Sequence, residues 1–381
     1  MPALDYFREV LETAQRAEEL KTGSRPVVGT MCNFVPEALI IAAGAVPVRI
    51  CAGDHSAALE GEALVPRDIC PVCKSTVGTL QRPGGPHGRL DLLVVPAVCD
   101  AKKKLPQVLE GQAPVHVMEL PVDKQGQGAE RRWLDQVRLL AERLEKLTGQ
   151  RITRQGLRGA IDLINARQNA YRELLALRQE NPPRLSGLEA LLLANASFTD
   201  DVARWTHHAR ALASERQSAP APAPGPRLVV TGAPLIYPNL RLVELIESLG
   251  AHVVADEMCS GSERLYVPII PQEWNLPEML LAVAETALLP TTCPCFSRHD
   301  DRLTRIGELV DAYSADGVVY HNLRLCALYQ FEATAVRDAL AARSVPMLEL
   351  QTDYTPEDTE QMHTRVQAFL EMLEARAPVP G

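Results

Sequence analysis

The feature that most constrains the fold is an alternation of short apolar runs with helical patterns, which occurs twice along the chain. The first series of apolar runs covers residues 25–30, 45–50, 89–98 and 114–120. The second series covers residues 227–232, 251–257, 317–322 and 346–353. This alternation is typical of parallel sheets covered by helices. Segments 37–48 and 243–254 both contain a helical pattern that ends in Gly-Ala before a strand, so the two α/β domains are predicted to be similar.

The chain is predicted to divide into two α/β domains around a helical insertion. Residues 1–127 form the first domain, and residues 128–215 have the 3.6-residue apolar period of long helices. The segment 216–226, "RQSAPAPAPGP", is rich in Pro and Ala and is predicted to be an extended linker. Residues 227–381 form the second α/β domain.

Charge and hydropathy exclude several classes of protein. The net charge of −9 and the pI near 5.6 argue against a nucleic-acid partner. No apolar run reaches the roughly 18 residues that span a membrane, and the amphipathic N-terminal segment has no signal-peptide core. We therefore expect a cytoplasmic protein. In that reducing compartment, nine cysteines indicate metal binding or redox chemistry, not structural disulfides.

Most of the cysteines follow predicted strands or lie in loops that lead into helices. Cys32, Cys99, Cys259 and Cys326 come after strands of both domains. The remaining loop cysteines are Cys70, Cys73, Cys293 and Cys295. Ligands of open α/β sheets bind outside the carboxyl ends of the strands. If the two crevices face each other, six to eight of these thiols converge. Cys51 alone is interpreted as a small buried apolar residue.

The cysteine spacing is compatible with three kinds of chemistry. A zinc-stabilised binding protein usually has two compact C-x2-C pairs, whereas this chain has one, "CPVC" at 70–73. A thioredoxin-like dithiol would use that pair and leave the other cysteines unexplained. Thiols dispersed over both domains favour iron–sulfur ligation.

Four segments resemble motifs of a known family. They are "MCNFVPEALIIAAGAVPVRI", "VVPAVCDAKKK", "DEMCSGSERL" and "GVVYHNLRLCALYQFE". Over roughly residues 25–370 the chain is similar to subunits of 2-hydroxyacyl-CoA dehydratases and benzoyl-CoA reductases. The resemblance implies two Rossmann-like parallel-sheet domains with a helical part, which agrees with the pattern of apolar runs.

The resemblance also implies an iron–sulfur cofactor. Dehydratase subunits hold one [4Fe-4S] cluster with three cysteines, which here are Cys32, Cys99 and Cys326. The segments "DICPVCKSTVG" and "TTCPCFSRHDDR" resemble the double-cubane cluster proteins, which hold an [8Fe-9S] cluster with six cysteines. The additional ligands would then be Cys70, Cys259, and Cys293 or Cys295. That branch needs only one cysteine in the loop of Cys70 and Cys73, so Cys73 is either a spare thiol or the ligand in place of Cys70.

The family resemblance implies a function and partners. The chain would be an iron–sulfur reductase component of anaerobic metabolism that receives low-potential electrons from a separate ATP-hydrolysing iron–sulfur activator. It would reduce a small molecule, as a homodimer or paired with a paralogous subunit. The alternative is a 2-hydroxyacyl-CoA dehydratase or benzoyl-CoA reductase subunit that acts on an acyl-CoA. The sequence contains neither G-x-G-x-x-G nor a Walker A motif, so ATP is expected to be bound elsewhere.

Five other residues are weaker candidates. Glu37 lies in the first turn of a predicted helix, where the helix dipole favours a carboxylate. His321 and Arg324 lie beside the last cysteine and are candidates to donate protons or steady negative charge. Lys74 and Ser75 are candidates to donate hydrogen bonds to cluster sulfurs.

The "CPVC" pair at 70–73 and the lysine run at 102–104 each have two possible roles. Cys70 precedes Pro71 at a predicted helix start, where backbone donors stabilise a thiolate, so Cys70 is favoured as a ligand over Cys73. The lysine run 102–104 is interpreted as a solvated turn or as a contact for an acidic docking partner.

Overall fold

The computed structural model describes residues 3–15, 24–82 and 90–376. Helix α1 spans Ala3–Gln15. The strands of the first half are β1 (Val27–Thr30), β2 (Val46–Arg49), β3 (Leu92–Pro96) and β4 (Val115–Met118). Its remaining helices are α2 (Glu37–Ala42), α3 (His55–Gly61), α4 (Pro71–Gln81) and α5 (Asp100–Leu109).

The middle of the chain is helical, as the apolar period predicts. Its helices are α6 (Ala129–Thr148), α7 (Arg154–Gln179), α8 (Gly187–Ala196) and α9 (Val202–Ser218). Helix α9 ends three residues inside the segment predicted to be a linker. Arg216 prolongs it because its guanidinium Nε donates to Glu189 Oε1 at 2.9 Å. Arg184 then donates to the carbonyl oxygen of Ala219 at 2.7 Å, just beyond the helix end.

The second half repeats the architecture of the first. Its strands are β5 (Arg227–Gly232), β6 (His252–Glu257), β7 (Gly317–Leu323) and β8 (Met347–Thr352). Its helices are α10 (Arg241–Ser248), a 3-10 helix at Ser262–Leu265, α11 (Leu276–Leu288), α12 (Asp300–Ala312), α13 (Ala327–Ala341), a second 3-10 helix at Pro356–Asp358, and α14 (Thr359–Arg376).

Both sheets have the same strand order. The first is β2-β1-β3-β4 and the second is β6-β5-β7-β8, and every pairing is parallel. In each sheet the second and third strands lie on opposite sides of the first, which creates a crevice at the carboxyl ends. The predicted fold class, two Rossmann-like parallel-sheet domains with helices inserted between them, is confirmed.

The helical region joins the two halves. Strands β3, β5 and β7 are buried along their whole length, as expected of parallel strands covered on both faces. Trp133 of α6 is buried and donates from its indole nitrogen to the carbonyl oxygen of Ala284 in α11, at 2.9 Å. Helix α7 packs against both α2 and α11. Among the described residues, no helix is both long enough and apolar enough to cross a membrane.

Candidate metal centre

All nine cysteines lie in the described ranges as free thiols, and most are at the carboxyl ends of strands. Cys32, Cys51 and Cys99 follow β1, β2 and β3, while Cys259 and Cys326 follow β6 and β7. Cys70 caps the N-terminus of helix α4, and Cys73 lies within that helix. Cys293 and Cys295 lie in the loop between α11 and α12.

Thiols from the two halves meet at Cys70 and Cys326. Each is the N-cap residue of its helix, α4 and α13 respectively. The Cys326 and Cys73 thiols lower the pKa of Cys70 well below its ordinary value because they donate to its thiolate, and the backbone N–H groups of α4 add to the effect. The same interaction raises the pKa of Cys326. The helix start predicted at Cys70 is present, and it favours the thiolate as expected.

A second group of thiols surrounds Cys32. Burial raises the pKa of Cys259, and the neighbouring Cys32 and Cys293 sulfurs add to this shift. The pKa of Cys293 is raised first by Cys295, then by burial and by Cys32. Cys32 from the first half therefore lies with three thiols of the second half.

Cys99 connects these two groups. It is the N-cap residue of α5, and its electrostatic neighbours include both Cys70 and Cys293. Burial raises its pKa. The cysteines thus form one continuous centre that extends from Cys70 and Cys326 through Cys99 to the Cys32 group.

Two members of the centre were not predicted as such. Cys51 donates from its sulfur to the carbonyl oxygen of Met31, at 3.2 Å. Lys102 donates to the same oxygen at 2.8 Å. Although burial opposes the charge of Lys102, the neighbouring sulfurs, including those of Cys32 and Cys99, hold its pKa well above its ordinary value. The position of Cys51 just after strand β2 is the sequence feature that could have placed it in the centre. Lys102 follows Cys99 by only three residues, in the first turn of α5.

The lysine run therefore divides between two environments. Lys102 lies among the thiols, so the interpretation of this residue as part of a solvated turn is wrong, and its contact with an acidic docking partner stays a prediction. Lys103 and Lys104 are exposed. Helix periodicity explains the division, because consecutive residues of α5 face different directions.

The loop that carries Cys293 and Cys295 is held by a lysine of the first half. The Lys124 side chain is 5% exposed and donates to the carbonyl oxygens of Leu289 and Thr291, at 2.7 and 2.6 Å. It also forms an ion pair with Asp301, at 2.5 Å. These contacts fix the loop on both sides because they reach the end of α11 and the first turn of α12.

Buried acidic groups lie beside Cys259. Burial and the neighbouring Glu263 raise the pKa of Glu257 to about 7. Burial also raises the pKa of Glu263, which accepts hydrogen bonds from the backbone N–H of Thr292 (2.8 Å) and from Asn33 Nδ2 (3.1 Å). The sequence signal for this pair was the "DEMCSGSE" segment, which carries carboxylates on both sides of the cysteine.

The three candidates for catalysis already have partners. The Glu37 carboxylate pairs with Arg167, at 2.8 Å, and with Arg264. His321 is buried with both ring nitrogens occupied, Nδ1 at 2.9 Å from the carbonyl oxygen of Ala233 and Nε2 at 2.8 Å from Thr352 Oγ1. Arg324 is mostly exposed and pairs with Asp353, at 3.3 Å. These contacts describe anchoring roles, and a catalytic role for the three residues stays a prediction.

The two residues after Cys73 point to other partners. Lys74 forms an ion pair with Glu62, at 2.9 Å. Ser75 is fully buried, and its hydroxyl accepts a hydrogen bond from the backbone N–H of Asp54, at 3.0 Å. Both contacts join α4 to α3 and the segment before it, so they position the helix that Cys70 caps.

The centre offers thiol sulfurs as its main potential metal ligands. Within the described ranges, no three His, Cys, Asp or Glu side chains surround the position of one metal ion. Thiols of a four-iron cubane each bind a different iron atom, so they stand farther apart than the ligands of a single ion. Thiol sulfur is also the ligand type that such clusters use.

The fold and the cysteine centre define a two-domain α/β protein with thiols converging from two parallel sheets. Residues 32–373 match the family model described as 2-hydroxyglutaryl-CoA dehydratase, D-component. The chain therefore belongs to this family, and the resemblance of its four motifs is confirmed.

Curated relatives cover nearly the whole chain. The protein named "Putative dehydratase subunit YjiM" of Escherichia coli is 32% identical, over 98% of each chain. The (R)-phenyllactyl-CoA dehydratase beta subunit of Clostridium sporogenes is 22% identical, over 96% of this chain and 97% of that protein. A benzoyl-CoA reductase subunit of Thauera aromatica is 23% identical, over 88% of each.

Proposed function

We propose that the chain is an iron–sulfur reductase component that receives low-potential electrons from an ATP-dependent activator and reduces a small molecule at a double-cubane [8Fe-9S] cluster. The observation that supports this proposal is the single centre formed by thiols of both halves. One four-iron cluster uses at most four cysteines. The centre contains nine, which suits two joined cubanes better.

The contacts favour one division of the thiols between two cubanes. Cys70, Cys99 and Cys326 form one group, and Cys32, Cys259 and Cys293, or Cys295 in place of Cys293, form the other. The family resemblance suggests a different division, in which Cys32, Cys99 and Cys326 share a cubane. We favour the first division because Cys326 interacts with Cys70, whereas Cys32 interacts with Cys259 and Cys293.

The bound cluster would store and transfer electrons at low potential. Two features of the chain would offset the negative charge of thiolate ligands, although burial raises the pKa of Cys99 and the contact with Cys70 raises that of Cys326. Cys70, Cys99 and Cys326 each cap the N-terminus of a helix, where the helix dipole favours negative charge. The Lys102 ammonium lies among the same sulfurs and offsets part of their charge.

The second candidate function is a 2-hydroxyacyl-CoA dehydratase or benzoyl-CoA reductase subunit with one [4Fe-4S] cluster, acting on an acyl-CoA. The names of the relatives favour it, since they include dehydratase beta subunits and a benzoyl-CoA reductase subunit. Iron analysis of anaerobically purified protein separates the two functions. We expect about eight iron atoms per chain for the double cubane and about four for the single cluster. A folded, colourless, zinc-loaded protein would exclude both.

Single cysteine variants test the "CPVC" pair. Cys70→Ala should lower the iron content to about half, because one cubane loses a ligand. Cys73→Ala is the matched control and should change the iron content little. If Cys73→Ala strips iron and Cys70→Ala does not, their roles are reversed. If neither variant changes the iron content, the single-cluster function becomes the better proposal.

Double variants test the division of the thiols. If Cys70 and Cys326 share a cubane, Cys70→Ala/Cys326→Ala retains about half of the iron, and Cys32→Ala/Cys326→Ala loses nearly all of it. The division suggested by the resemblance predicts the opposite pair of results.

The proposed partners are those that the family resemblance implies. An ATP-hydrolysing iron–sulfur activator would deliver the electrons, and the chain would pair with a second copy or with a paralogous subunit. Sedimentation of the purified chain measures self-association. Iron reduction by the activator with ATP, but not without it, is the expected result for electron delivery.

A further inference from the structure

A cavity of about 60 Å³ lies behind the loop that connects Cys32 to α2. Side chains from α2, α7, α11 and the 3-10 helix Ser262–Leu265 line it, so both halves of the chain contribute. Its polar lining includes Glu37, Arg167, Gln168 and Arg264. We call this space the arginine cavity.

Two arginines hold one carboxylate at the cavity wall. Arg167 Nη2 donates to Glu37 Oε2 at 2.8 Å, and Arg264 Nη1 donates to Glu37 Oε1. Both guanidinium groups also donate to the carbonyl oxygen of Ser197, at 3.4 and 3.2 Å. The Ser197 hydroxyl accepts a further bond from Arg264, at 2.6 Å. The arginines are therefore fixed in place around a single negative charge.

A third arginine makes the charge of this region unbalanced. Arg49 stacks on the Phe198 ring at 4.3 Å, and Arg264 stacks on the same ring at 4.6 Å. Burial lowers the pKa of Arg264 well below its ordinary value, and the nearby Arg167 and Arg49 contribute to the shift. The carboxylate of Glu263 is bound to Asn33 on the other side. Arg49 itself donates to Asn33 Oδ1 at 2.9 Å and does not line the cavity. At the cavity wall, two guanidinium groups thus contact one carboxylate, Glu37, and Arg49 adds positive charge nearby.

Buried polar atoms beside the cavity lack partners. The Nε atoms of Arg167 and Arg264 and the Oε1 atom of Gln168 make no hydrogen bond. Arg167 and Gln168 are 2% and 3% exposed. An unpaired buried donor or acceptor costs stability, so such atoms in a native protein usually have a bound partner. The amide oxygen and nitrogen of Gln168 are interchangeable by a rotation, so this residue can either accept or donate.

We propose that the arginine cavity binds a small carboxylate anion of two or three carbons, with acetate as the representative ligand. A planar carboxylate matches the fork of donors on a guanidinium group and would offset the surplus positive charge. The cavity is large enough for a few non-hydrogen atoms, since one water needs roughly 10–15 Å³ of the same kind of space. An aromatic acid is too large for it.

The binding test uses the full chain at constant ionic strength. Chloride is replaced stepwise by acetate, and the melting temperature is recorded together with the broadening of the methyl signal of ¹³C-labelled acetate. We expect a saturable rise in melting temperature and saturable broadening, because a ligand that binds only the folded state stabilises it. Benzoate, tested in the same way, should give neither effect.

Two variants of Gln168 locate the site. Gln168→Leu removes the polar group and should weaken acetate binding at least about tenfold. Gln168→Glu places a permanent carboxylate beside the arginines, so its melting temperature without acetate should exceed that of the natural chain and should not respond to acetate. Gln155→Leu and Gln155→Glu are the matched controls, since Gln155 is exposed on the same helix. Both should respond to acetate as the natural chain does.

Three results would overturn the proposal. They are the lack of a saturable effect of acetate on the natural chain, an unchanged effect in Gln168→Leu, and equal binding of benzoate. If Gln168→Glu does not fold, the first and second of these results still decide the question. The test requires no bound cluster, so its outcome is separate from that of the proposed function.

Discussion

Helix α7 contacts both halves of the molecule through a buried arginine, but the two contacts differ in charge balance. Toward the second half, Arg178 forms an ion pair with Asp256 at 3.0 Å, with side chains 0% and 1% exposed. Asp256 also accepts bonds from the backbone N–H and the hydroxyl of Ser262, both at 2.7 Å. Toward the first half, Arg167 pairs with Glu37, which Arg264 contacts as well.

Charge balance therefore distinguishes a structural ion pair from a candidate binding site. One guanidinium group facing one carboxylate, as at Arg178, leaves no net charge, although the Arg178 Nε atom also lacks a hydrogen-bond partner. The Glu37 region has surplus positive charge and a cavity beside it, so an anion would complete it. Both regions contain buried charged side chains, but only around Glu37 do the positive groups outnumber the negative ones.

The largest expected effect comes from breaking the balanced pair. Arg178→Met should lower the free energy of unfolding by about 3–5 kcal/mol, because Asp256 would stay buried without a counter-charge. Chemical denaturation at neutral pH measures the loss. Arg172→Met is the control on the same helix, where the side chain is exposed and the expected change is within about 0.5 kcal/mol. Adding Asp256→Asn to Arg178→Met should recover part of the stability. A loss below about 1 kcal/mol for the single variant would contradict a structural role for the pair.

Glu37 should make the first half sensitive to strong acid. Although burial opposes its charge, Arg264 and Arg167 lower its pKa from 4.5 to about 2. A carboxyl with a depressed pKa stabilises the fold above its unfolded-state pKa and loses that contribution as the pH falls. The free energy of unfolding should therefore drop by about 3 kcal/mol between pH 4.5 and 2.

Glu37→Gln is the variant that tests this loss of stability between pH 4.5 and 2. It removes the ionisable group, so the slope of unfolding free energy below pH 4.5 should be smaller than in the natural chain. Equal slopes would show that Glu37 is not clamped by the two arginines in solution.

His321 should make the second half sensitive in a higher pH window. Burial lowers its pKa from 6.5 to about 4, and both ring nitrogens have neutral partners. The unfolded chain binds a proton more readily than the folded one, so the fold loses about 3 kcal/mol as the pH falls from 6.5 to 4. Denaturation curves across this range, compared with those of His321→Gln, measure the effect. Acid should thus weaken the second half before the first, and a natural chain without a slope above pH 4.5 would contradict this order.

The smallest loss of stability is expected from Lys124, which holds the loop between α11 and α12. Lys124→Met should cost about 1–3 kcal/mol, because the carbonyl oxygens of Leu289 and Thr291 lose a charged donor. Thermal unfolding of the variant beside Lys103→Met, whose lysine is exposed, isolates the contribution of the contact. If the two variants unfold alike, the loop that carries Cys293 and Cys295 is held by other contacts.

The sheet architecture was predictable because it depends on local patterns. The eight strands of the described residues lie within the apolar runs of the sequence, apart from Leu323, which extends β7 by one residue. Apolar period and strand length act over a few residues, so they are visible without the fold. The end of α9 was missed by three residues, since Arg216 prolongs that helix through a contact with Glu189, 27 residues away.

The candidate centre was predictable in position but not in detail. A cysteine directly after a strand of a parallel sheet must lie near the ligand-binding edge, which placed Cys32, Cys99, Cys259 and Cys326 correctly at strand ends. The same rule applied to Cys51, which was nevertheless interpreted as a buried apolar residue. Which thiols are neighbours depends on how two sheets face each other, and that is not a local property.

Local sequence patterns are enough to predict two parallel-sheet halves, a helical region between them and cysteines at the carboxyl ends of the strands. Folding is what brings Cys70 to Cys326, Lys102 among the thiols and two arginines to Glu37. The partners of Glu37 are 130 and 227 positions away along the chain. Periodic patterns are set by the geometry of one helix or strand, whereas charge balance at a buried site is set by side chains that only folding brings together.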